Sequence, residues 1–239
     1  MCTLTFFPKS DSNFILTSNR DESPGRKTFP PKIYRENNVE LLYPRDAVAG
    51  GTWIGVSQRK RVVSLMNGGF VAHKRKASYA RSRGLIVKDL LKTPELKSYI
   101  KTYDFSEIEP FTAIVVDFEN TLKLHEIVWT GEELVFTNLP LEPKIWSSSP
   151  LYPRELAEKR ESWFAEFLDR QNDMPAQELL HFHQTAGEGD PISNIVMDRG
   201  FVKTKSITQV VKSDGVVEMC YNDLEAEAID RSSLMLEGF

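Results

Sequence analysis

Residues 14–22 of this chain read FILTSNRDE, and this stretch, more than any other, decides the expected fold. Its first five residues are mostly apolar or β-branched and predict a short strand, which the tetrapeptide NRDE follows directly. A preceding strand is predicted over residues 2–7, and the polar segment 8–13 between the two is typical of a turn. The resulting hairpin would bring Arg20 and Asp21 back beside the amino terminus.

Cys2 stands directly after the initiator Met1, and this position predicts an N-terminal nucleophile. Removal of an initiator methionine is favoured when the next residue is small, and it would leave Cys2 with both a thiol and a free α-amine. Because an α-amine has a pKa of about 8, it can accept a proton near neutral pH and activate the thiol without a histidine. On Cys2 alone, an ordinary cysteine at the start of a strand stays an open alternative.

Three further polar residues complete a predicted catalytic set with Cys2. Asp21 can hold an ammonium group by a charge-assisted hydrogen bond, and Arg20 can lower the pKa of a nearby thiol. Asn67 ends the predicted strand 61–66 just before two glycines, so its amide and nearby backbone N–H groups can form an oxyanion hole. Taken singly, Arg20 and Asp21 are more typical of a surface ion pair at a strand end, and Asn67 is more typical of an Asn-Gly turn.

Several motifs together resemble the NRDE family, the relatives of transport and Golgi organisation protein 2. They occur in the family's order and rough spacing: MCT at 1–3, SNRDE at 18–22, Arg45-Asp46, GGTWIGV at 50–56, Met66-Asn67 and Ser82-Arg83-Gly84. The pairing of NRDE with GGTWIGV is the most specific part. The last third departs from the pattern, since Lys205 stands where the family tends to have an arginine in a Gly-Thr-Arg-Ser-like stretch.

The resemblance implies an α+β fold of the N-terminal-nucleophile-hydrolase type, a four-layer αββα sandwich of two antiparallel sheets. We expect residues 1–239 to form one such domain. The wider group includes bile-salt hydrolases and penicillin V acylase, which cleave amide bonds. In that group the positions matched by Cys2, Arg20, Asp21 and Asn67 are nucleophile, activator, amine-holding acid and oxyanion donor. The ligand-binding residues expected beside them are Trp53, Gly51, Arg83 and Lys205, with core packing as an open alternative for Trp53.

Two functions follow from this resemblance. The first is amidase-like hydrolysis of an acyl-amide C–N bond in a small molecule, with Cys2 as nucleophile and no cofactor required. The second is a non-catalytic carrier of haem or acyl lipids such as acyl-CoA in the same cleft, because the family is linked to haem trafficking and lipid homeostasis. A third alternative is a relic fold whose site residues are only structural.

Composition and charge narrow the class of protein. The net charge is −4, which argues against a nucleic-acid binder that relies on overall charge. Neither a signal peptide nor an apolar run of about 18 residues is visible, so we expect a cytoplasmic protein without a membrane span. HExxH and CxxC motifs are absent, and no metal site is predicted. The basic stretch 73–83 is interpreted as a solvated loop, with binding of phosphate, haem propionates or acyl-CoA as the alternative.

The remaining sequence predicts strands at both ends of the chain with helices between them. Residues 23–50, with four prolines, are expected to be mostly irregular. Other predicted elements are strands at 111–118, 121–129 and 133–137, helices at 85–91, 155–170 and 175–184, and a hairpin formed by 206–211 and 216–221.

Overall fold

The computed structural model describes residues 2–170 and 174–236, with the backbone alone at Cys2. In chain order the elements are β1 (Cys2–Pro8), β2 (Phe14–Glu22), β3 (Thr28–Glu36), β4 (Val39–Asp46), β5 (Ile54–Ser57), β6 (Arg61–Asn67), α1 (Arg83–Lys92), α2 (Leu96–Thr102), β7 (Phe111–Asp117), β8 (Lys123–Trp129), β9 (Leu134–Leu139), β10 (Lys144–Ser147), α3 (Arg154–Asp169), α4 (Ala176–Thr185), β11 (Lys203–Ser213), β12 (Val216–Asp223) and β13 (Ala228–Met235).

The strands form two antiparallel sheets. The first has the order β10-β1-β2-β11-β12-β13, and the second has the order β3-β4-β5-β6-β7-β8-β9. Strand β1 pairs with β2 through the predicted hairpin, with Phe6 opposite Leu16. The sheets are therefore built mainly from neighbouring strands, except that β11 inserts beside β2 and β10 beside β1.

Alternation along the strands divides the apolar residues between three cores, because successive side chains point to opposite faces of a sheet. Leu16, Val62 and Ile114 belong to the core between the two sheets. Their neighbours Val63 and Val115 join a second core that includes residues of α1 and α2. On the other sheet, residues of β2 and β10 join a third core with α3 and α4, formed by Ile15, Ile145, Phe164, Met174, Leu179, Phe182 and Ile195.

The layers are thus helices, sheet, sheet and helices, which is the predicted αββα sandwich. The predicted helices and the hairpin near the carboxyl terminus are present with small shifts in their ends. In the described residues, no helix is both long and apolar enough to cross a membrane.

The prediction that residues 23–50 are mostly irregular is wrong. This segment contains β3 and β4, which form a hairpin around Asn37 and Asn38, both with positive φ. Asparagine tolerates this left-handed conformation, so the Asn-Asn pair was a turn signal. Pro30 and Pro31 are accommodated because β3 is an edge strand and its register shifts between Phe29 and Lys32.

The predicted boundary of the second strand is also corrected. NRDE does not follow the strand but forms its last four residues, since β2 continues to Glu22. Both neighbouring strands of the sheet, β1 and β11, pair with this end of β2, which supplies the hydrogen bonds that keep the polar stretch extended.

Candidate functional site

The polar end of β2 lies where strands from both sheets end or begin. Arg20 is paired with Cys2 of β1 on one side and with Ser206 of β11 on the other. Asp21 is paired with Thr204, and the register shifts between Thr204 and Ser206. The hairpin prediction that Arg20 returns beside residue 2 is therefore confirmed at the level of the backbone.

A small cavity of about 110 Å³ opens beside Arg20 and is called the Arg20 cavity here. Its described lining is Arg20, Glu22, Arg26, Asp46, Ala49, Gly51, Thr52, Trp53, Leu65, Asn67, Ser82, Arg83 and Gly84. The structure thus gathers five of the eight predicted site residues around one space. Clefts of about 530 and 610 Å³ lie elsewhere, and their linings contain none of the predicted residues.

Arg20 is fixed in a buried position between an acid and an aromatic ring. Its Nη2 donates to Asp46 Oδ2 at 2.7 Å, and its guanidinium lies 4.6 Å from the centroid of the Trp53 ring. Arg26 donates to the same carboxylate oxygen at 2.7 Å. Burial alone would raise the pKa of Asp46, but the hydrogen bond and charge of Arg26, with the charge of Arg20, hold it below its ordinary value. Asp46 therefore stays ionised and anchors both arginines.

Two buried nitrogen donors at the Arg20 cavity have no hydrogen-bond partner in the described part of the chain. They are Nη1 of Arg20 and Nε1 of Trp53. Buried donors are nearly always satisfied, and an unsatisfied one costs about 1–3 kcal/mol. Both side chains belong to the wall of the Arg20 cavity, and the two nitrogen atoms themselves are covered.

Asn67 and Arg83 form another part of the cavity wall. Asn67 ends β6 and is followed by Gly68 with φ of +85°. A side chain at Gly68 would meet Pro150 at 2.4 Å, so the glycine lets the chain turn against that loop. Arg83 pairs with Glu109 at 2.9 Å and donates to the carbonyl of Pro110. Burial is the main cause that lowers the pKa of Arg83.

Gly51 lines the cavity through close contact between two backbone segments. A Cβ on Gly51 would lie 2.5 Å from the carbonyl carbon of Gly84. Thr52 N–H donates to the carbonyl of Gly84 at 3.1 Å, which ties the two segments together. Gly51 therefore shapes the wall by its lack of a side chain.

Asp21 does not line the Arg20 cavity. It is fully buried on the helix-covered side of the sheet, where it accepts hydrogen bonds from the hydroxyls of Tyr152 and Thr204, the latter at 2.7 Å. Burial raises the pKa of Asp21, and the two hydroxyl hydrogen bonds oppose this rise. The guanidinium of Arg160 stacks 3.7 Å above the Tyr152 ring and donates to Thr3 Oγ1 at 2.5 Å.

Sequence reasoning did not predict a role for Tyr152, Thr204 or Arg160 in holding Asp21. A signal was present for Arg160, because it occupies a position in the apolar stripe of α3 and is fully buried there. A charged residue in such a stripe requires buried partners. Its partners are Thr3 and the carbonyls of Ser193 and Asn194.

A second buried network lies behind Asn19. His183 Nδ1 is 2.5 Å from Asn19 Oδ1, which can only accept, so Nδ1 carries the proton and Nε2 accepts from the hydroxyl of Thr5 at 2.7 Å. The Asn19 amide in turn donates to the carbonyls of His183 and Ile195. These bonds join β1, β2 and α4 beneath the site.

Lys205, the remaining predicted ligand-binding residue, lies outside the cavity lining. Its Nζ donates to the carbonyls of Pro24 and Arg26 and pairs with Glu225 at 2.6 Å. Lys205 thus supports the loop that carries Arg26. For Cys2 the structure describes the backbone alone, so the predicted role of its thiol lies outside the described atoms.

Comparison with known proteins settles the family. The family model described as Transport and Golgi organisation 2 matches residues 1–212. The chain belongs to this family. The resemblance to the NRDE family drawn from the motifs is thereby confirmed, and no curated protein matches the sequence.

Solved structures with the same architecture confirm the fold. A mutant of the conjugated bile acid hydrolase from Clostridium perfringens has a TM-score of 0.59 at 10% identity, covering 98% of this chain and 92% of that one. The N-acylethanolamine-hydrolyzing acid amidase ortholog of Caenorhabditis elegans has a TM-score of 0.57 at 15% identity, covering 87% and 92%. The family member described here therefore has an N-terminal-nucleophile-hydrolase-like fold.

Proposed function

We propose that this protein is an N-terminal cysteine amidase that hydrolyses the C–N bond of an acyl amide. Removal of Met1 would give Cys2 a free α-amine. The observation that carries the proposal is the cavity lined by Arg20, Trp53 and Asn67, which lies beside the strand partner of residue 2. The guanidinium of Arg20 and the amide of Asn67 can donate to the carbonyl oxygen of an amide bound there.

The reaction balances without a cofactor. The Cys2 sulfur bonds to the carbonyl carbon while the thiol proton passes to the α-amine of the same residue. Collapse of the tetrahedral intermediate breaks the C–N bond, and the ammonium returns the proton to the leaving amine. Water then cleaves the thioester, which releases a carboxylic acid and restores the thiol.

The surrounding residues supply the charges that this sequence of steps needs. Arg20, held by Asp46, favours the thiolate because a nearby cation lowers the pKa of a thiol. Asn67 on the cavity wall donates to the oxyanion. Asp21 holds the α-amine from the buried side of the sheet. Tyr152, which donates to Asp21, is stacked under Arg160, and Arg160 also donates to Thr3 in β1. These contacts link Asp21 to the start of β1.

The size of the cavity supports a substrate whose reacting group is small. About 110 Å³ is well below the roughly 300–1,000 Å³ of sites that enclose a drug-sized ligand. The cavity thus suits an amide head group, with the acyl chain and the amine extending towards solvent. An apolar acyl group on the substrate agrees with the two structural neighbours, a conjugated bile acid hydrolase and an N-acylethanolamine-hydrolyzing acid amidase.

The carrier function for haem or acyl lipids would use the same cavity and predicts binding without turnover. No histidine or methionine belongs to the described lining, so the described atoms there offer no such axial ligand to haem iron. Among the described residues, no group of three or more His, Cys, Asp or Glu side chains is placed to hold a metal ion either.

The amidase is tested with fluorogenic N-acyl amides of increasing acyl length and protein whose Met1 has been removed. We expect amine release that Cys2→Ala abolishes and that Arg20→Lys lowers by about 10²-fold in kcat/KM, because lysine lacks the guanidinium fork. Cys220→Ala is the matched control, since Cys220 is the other cysteine and lies buried in β12. Full activity in Cys2→Ala, or saturable binding of these amides with no amine release, would contradict the proposal.

A further inference from the structure

Large apolar side chains are exposed unevenly over the surface. Among the described residues, ten large hydrophobic side chains are classed as exposed. Six of them, between 46% and 76% exposed, are Phe29, Val48, Phe70, Val71, Ile192 and Phe201. Phe29 lies at the start of the edge strand β3, whereas three others, Ile33, Ile229 and Met235, lie further along β3 or on the edge strand β13. Leu141 follows β9 at the far end of the second sheet from Asn67.

The six side chains belong to segments that meet at the end of the sandwich holding the Arg20 cavity. Val48 precedes Ala49, and Phe70 and Val71 follow Asn67, and both Ala49 and Asn67 line the cavity. Phe29 is the strand partner of Arg45, which directly precedes the cavity residue Asp46.

The other two side chains are linked to the same end by direct contacts. Gly68 packs against Pro150, and Arg199 donates to the carbonyls of Leu151 and Ile192. The loops of Ile192 and Phe201 therefore lie beside the loop of Phe70. The segments that carry the six apolar side chains thus adjoin the cavity, and these side chains together with residues 68–76 are called the mouth surface here.

The apolar tip at Phe70 continues directly into a cationic run. Residues 68–88 contain six lysines and arginines and no acid. Arg81, Arg83 and Lys88 are paired with acids of the body of the protein. Lys74 and Lys76 are exposed and form no ion pair with any described residue, and Arg75, with 78% of its side chain exposed, lies 3.6 Å from Glu109. Three cations thus stand next to exposed Phe and Val.

We propose that the mouth surface docks on a bilayer that contains anionic lipids. Exposed apolar loop tips gain free energy by entering the interfacial region of a membrane, and adjacent Lys and Arg gain about fivefold in affinity each from an anionic surface. A solvated loop, as predicted for residues 73–83, would account for the cations but not for the apolar side chains beside them. This surface does not depend on turnover at Cys2.

Sedimentation with vesicles tests the proposal on the full chain. We expect binding to vesicles of phosphatidylcholine with phosphatidylserine, weaker binding to phosphatidylcholine alone, and loss of affinity at high salt. The double variant Phe70→Ser with Val71→Ser should lose about tenfold or more, because two apolar side chains no longer enter the interface. Lys74→Gln with Lys76→Gln should lose affinity only for the anionic vesicles.

The matched control is Ile229→Ser with Met235→Ser, two equally exposed apolar residues on the edge strand β13. It should bind like the wild type. Absence of wild-type binding to the mixed vesicles, equal binding to both vesicle types, or an equal loss in the control pair would each overturn the proposal. The first outcome would leave a protein partner as the occupant of this surface.

Discussion

At the scale of single residues, the alternation of β2 separates Arg20 from Asp21. Leu16 lies in the core between the sheets and Ile15 in the core under the helices, and the same alternation continues along the strand. Arg20 accordingly faces Asp46 and Trp53, whereas Asp21 contacts Tyr152 on the helix-covered side. Two neighbouring charges thus act on opposite sides of the strand that pairs with residue 2.

This separation explains how much of the site could be predicted from residues alone. The residue types of Arg20, Asp21 and Asn67 predicted which charge or hydrogen bond each could supply, and the predicted hairpin placed Arg20 beside Cys2. The partners Asp46, Tyr152 and Thr204 lie 26 to 183 residues away along the chain, and no local pattern predicts such contacts. The orphaned donors of Arg20 and Trp53 likewise become visible only when the two sheets are packed.

His183 predicts a pH dependence of stability. Burial, assisted by the charge of Arg160, lowers the pKa of His183 from 6.5 to about 3. Between these values the unfolded chain binds more protons than the folded one, so the free energy of unfolding is fully retained above about pH 6.5 and falls as the pH drops towards 3. The slope from this one group approaches about 1.4 kcal/mol per pH unit.

Urea unfolding near pH 7 and near pH 5 measures this effect. His183→Gln keeps one donor and one acceptor for Asn19 and Thr5 but cannot titrate, so we expect it to lose this part of the slope. His181→Gln is the control, because His181 is exposed on the same helix, α4. An unchanged slope in His183→Gln would show that the histidine does not remain neutral in the folded protein.

At the scale of elements, hydrophobic periodicity predicted the helices and the buried strands, and it failed at β3 and β4. Both strands carry prolines, and β3 is an edge strand, where prolines are tolerated. The stretch GGTWIGV at 50–56 was recognised as a family motif, but the structural role of its glycines depends on contacts with distant segments of the chain. Gly51 touches Gly84, and Gly55 is so close to Leu91 that a Cβ would lie 2.7 Å from its side chain.

Gly51→Ala tests whether this close approach maintains the cavity wall. We expect a loss of about 1–3 kcal/mol in the free energy of unfolding, because the new Cβ would meet backbone atoms of Gly84 that cannot rotate away. Gly25→Ala is the control, since nothing lies within 4 Å of its added Cβ, and it should change stability by less than about 0.5 kcal/mol. Equal stability of the two variants by urea unfolding would refute the packing role of Gly51.

At the scale of the whole molecule, the Arg20 cavity and the mouth surface lie at the same end of the sandwich. The end of β2, the end of β6 and the start of β11 meet there. Loops after β4, after β6 and before β11 carry five of the six apolar side chains of the mouth surface, and Phe29 lies on β3. Arg20 and Asn67 of the cavity wall lie on strands of the two stacked sheets, while the surrounding loops are free to vary.

The four-layer architecture was predicted from the family motifs, and its three cores can be derived from the alternation in β2, β6 and β7. The identity of a substrate does not follow in the same way, because the cavity of about 110 Å³ is too small to enclose a drug-sized molecule. The proposed amidase requires a free amino group on Cys2. Cys2 is the strand partner of Arg20, and Arg20 lines the cavity.

The most direct test is therefore the intact mass of the protein purified at native expression level, combined with sequencing of its amino-terminal peptide. The amidase predicts a mature chain that begins at Cys2 with an unmodified α-amine. A chain that retains Met1 under these conditions would contradict the account, because the amine that should accept the thiol proton would then be bound in a peptide bond.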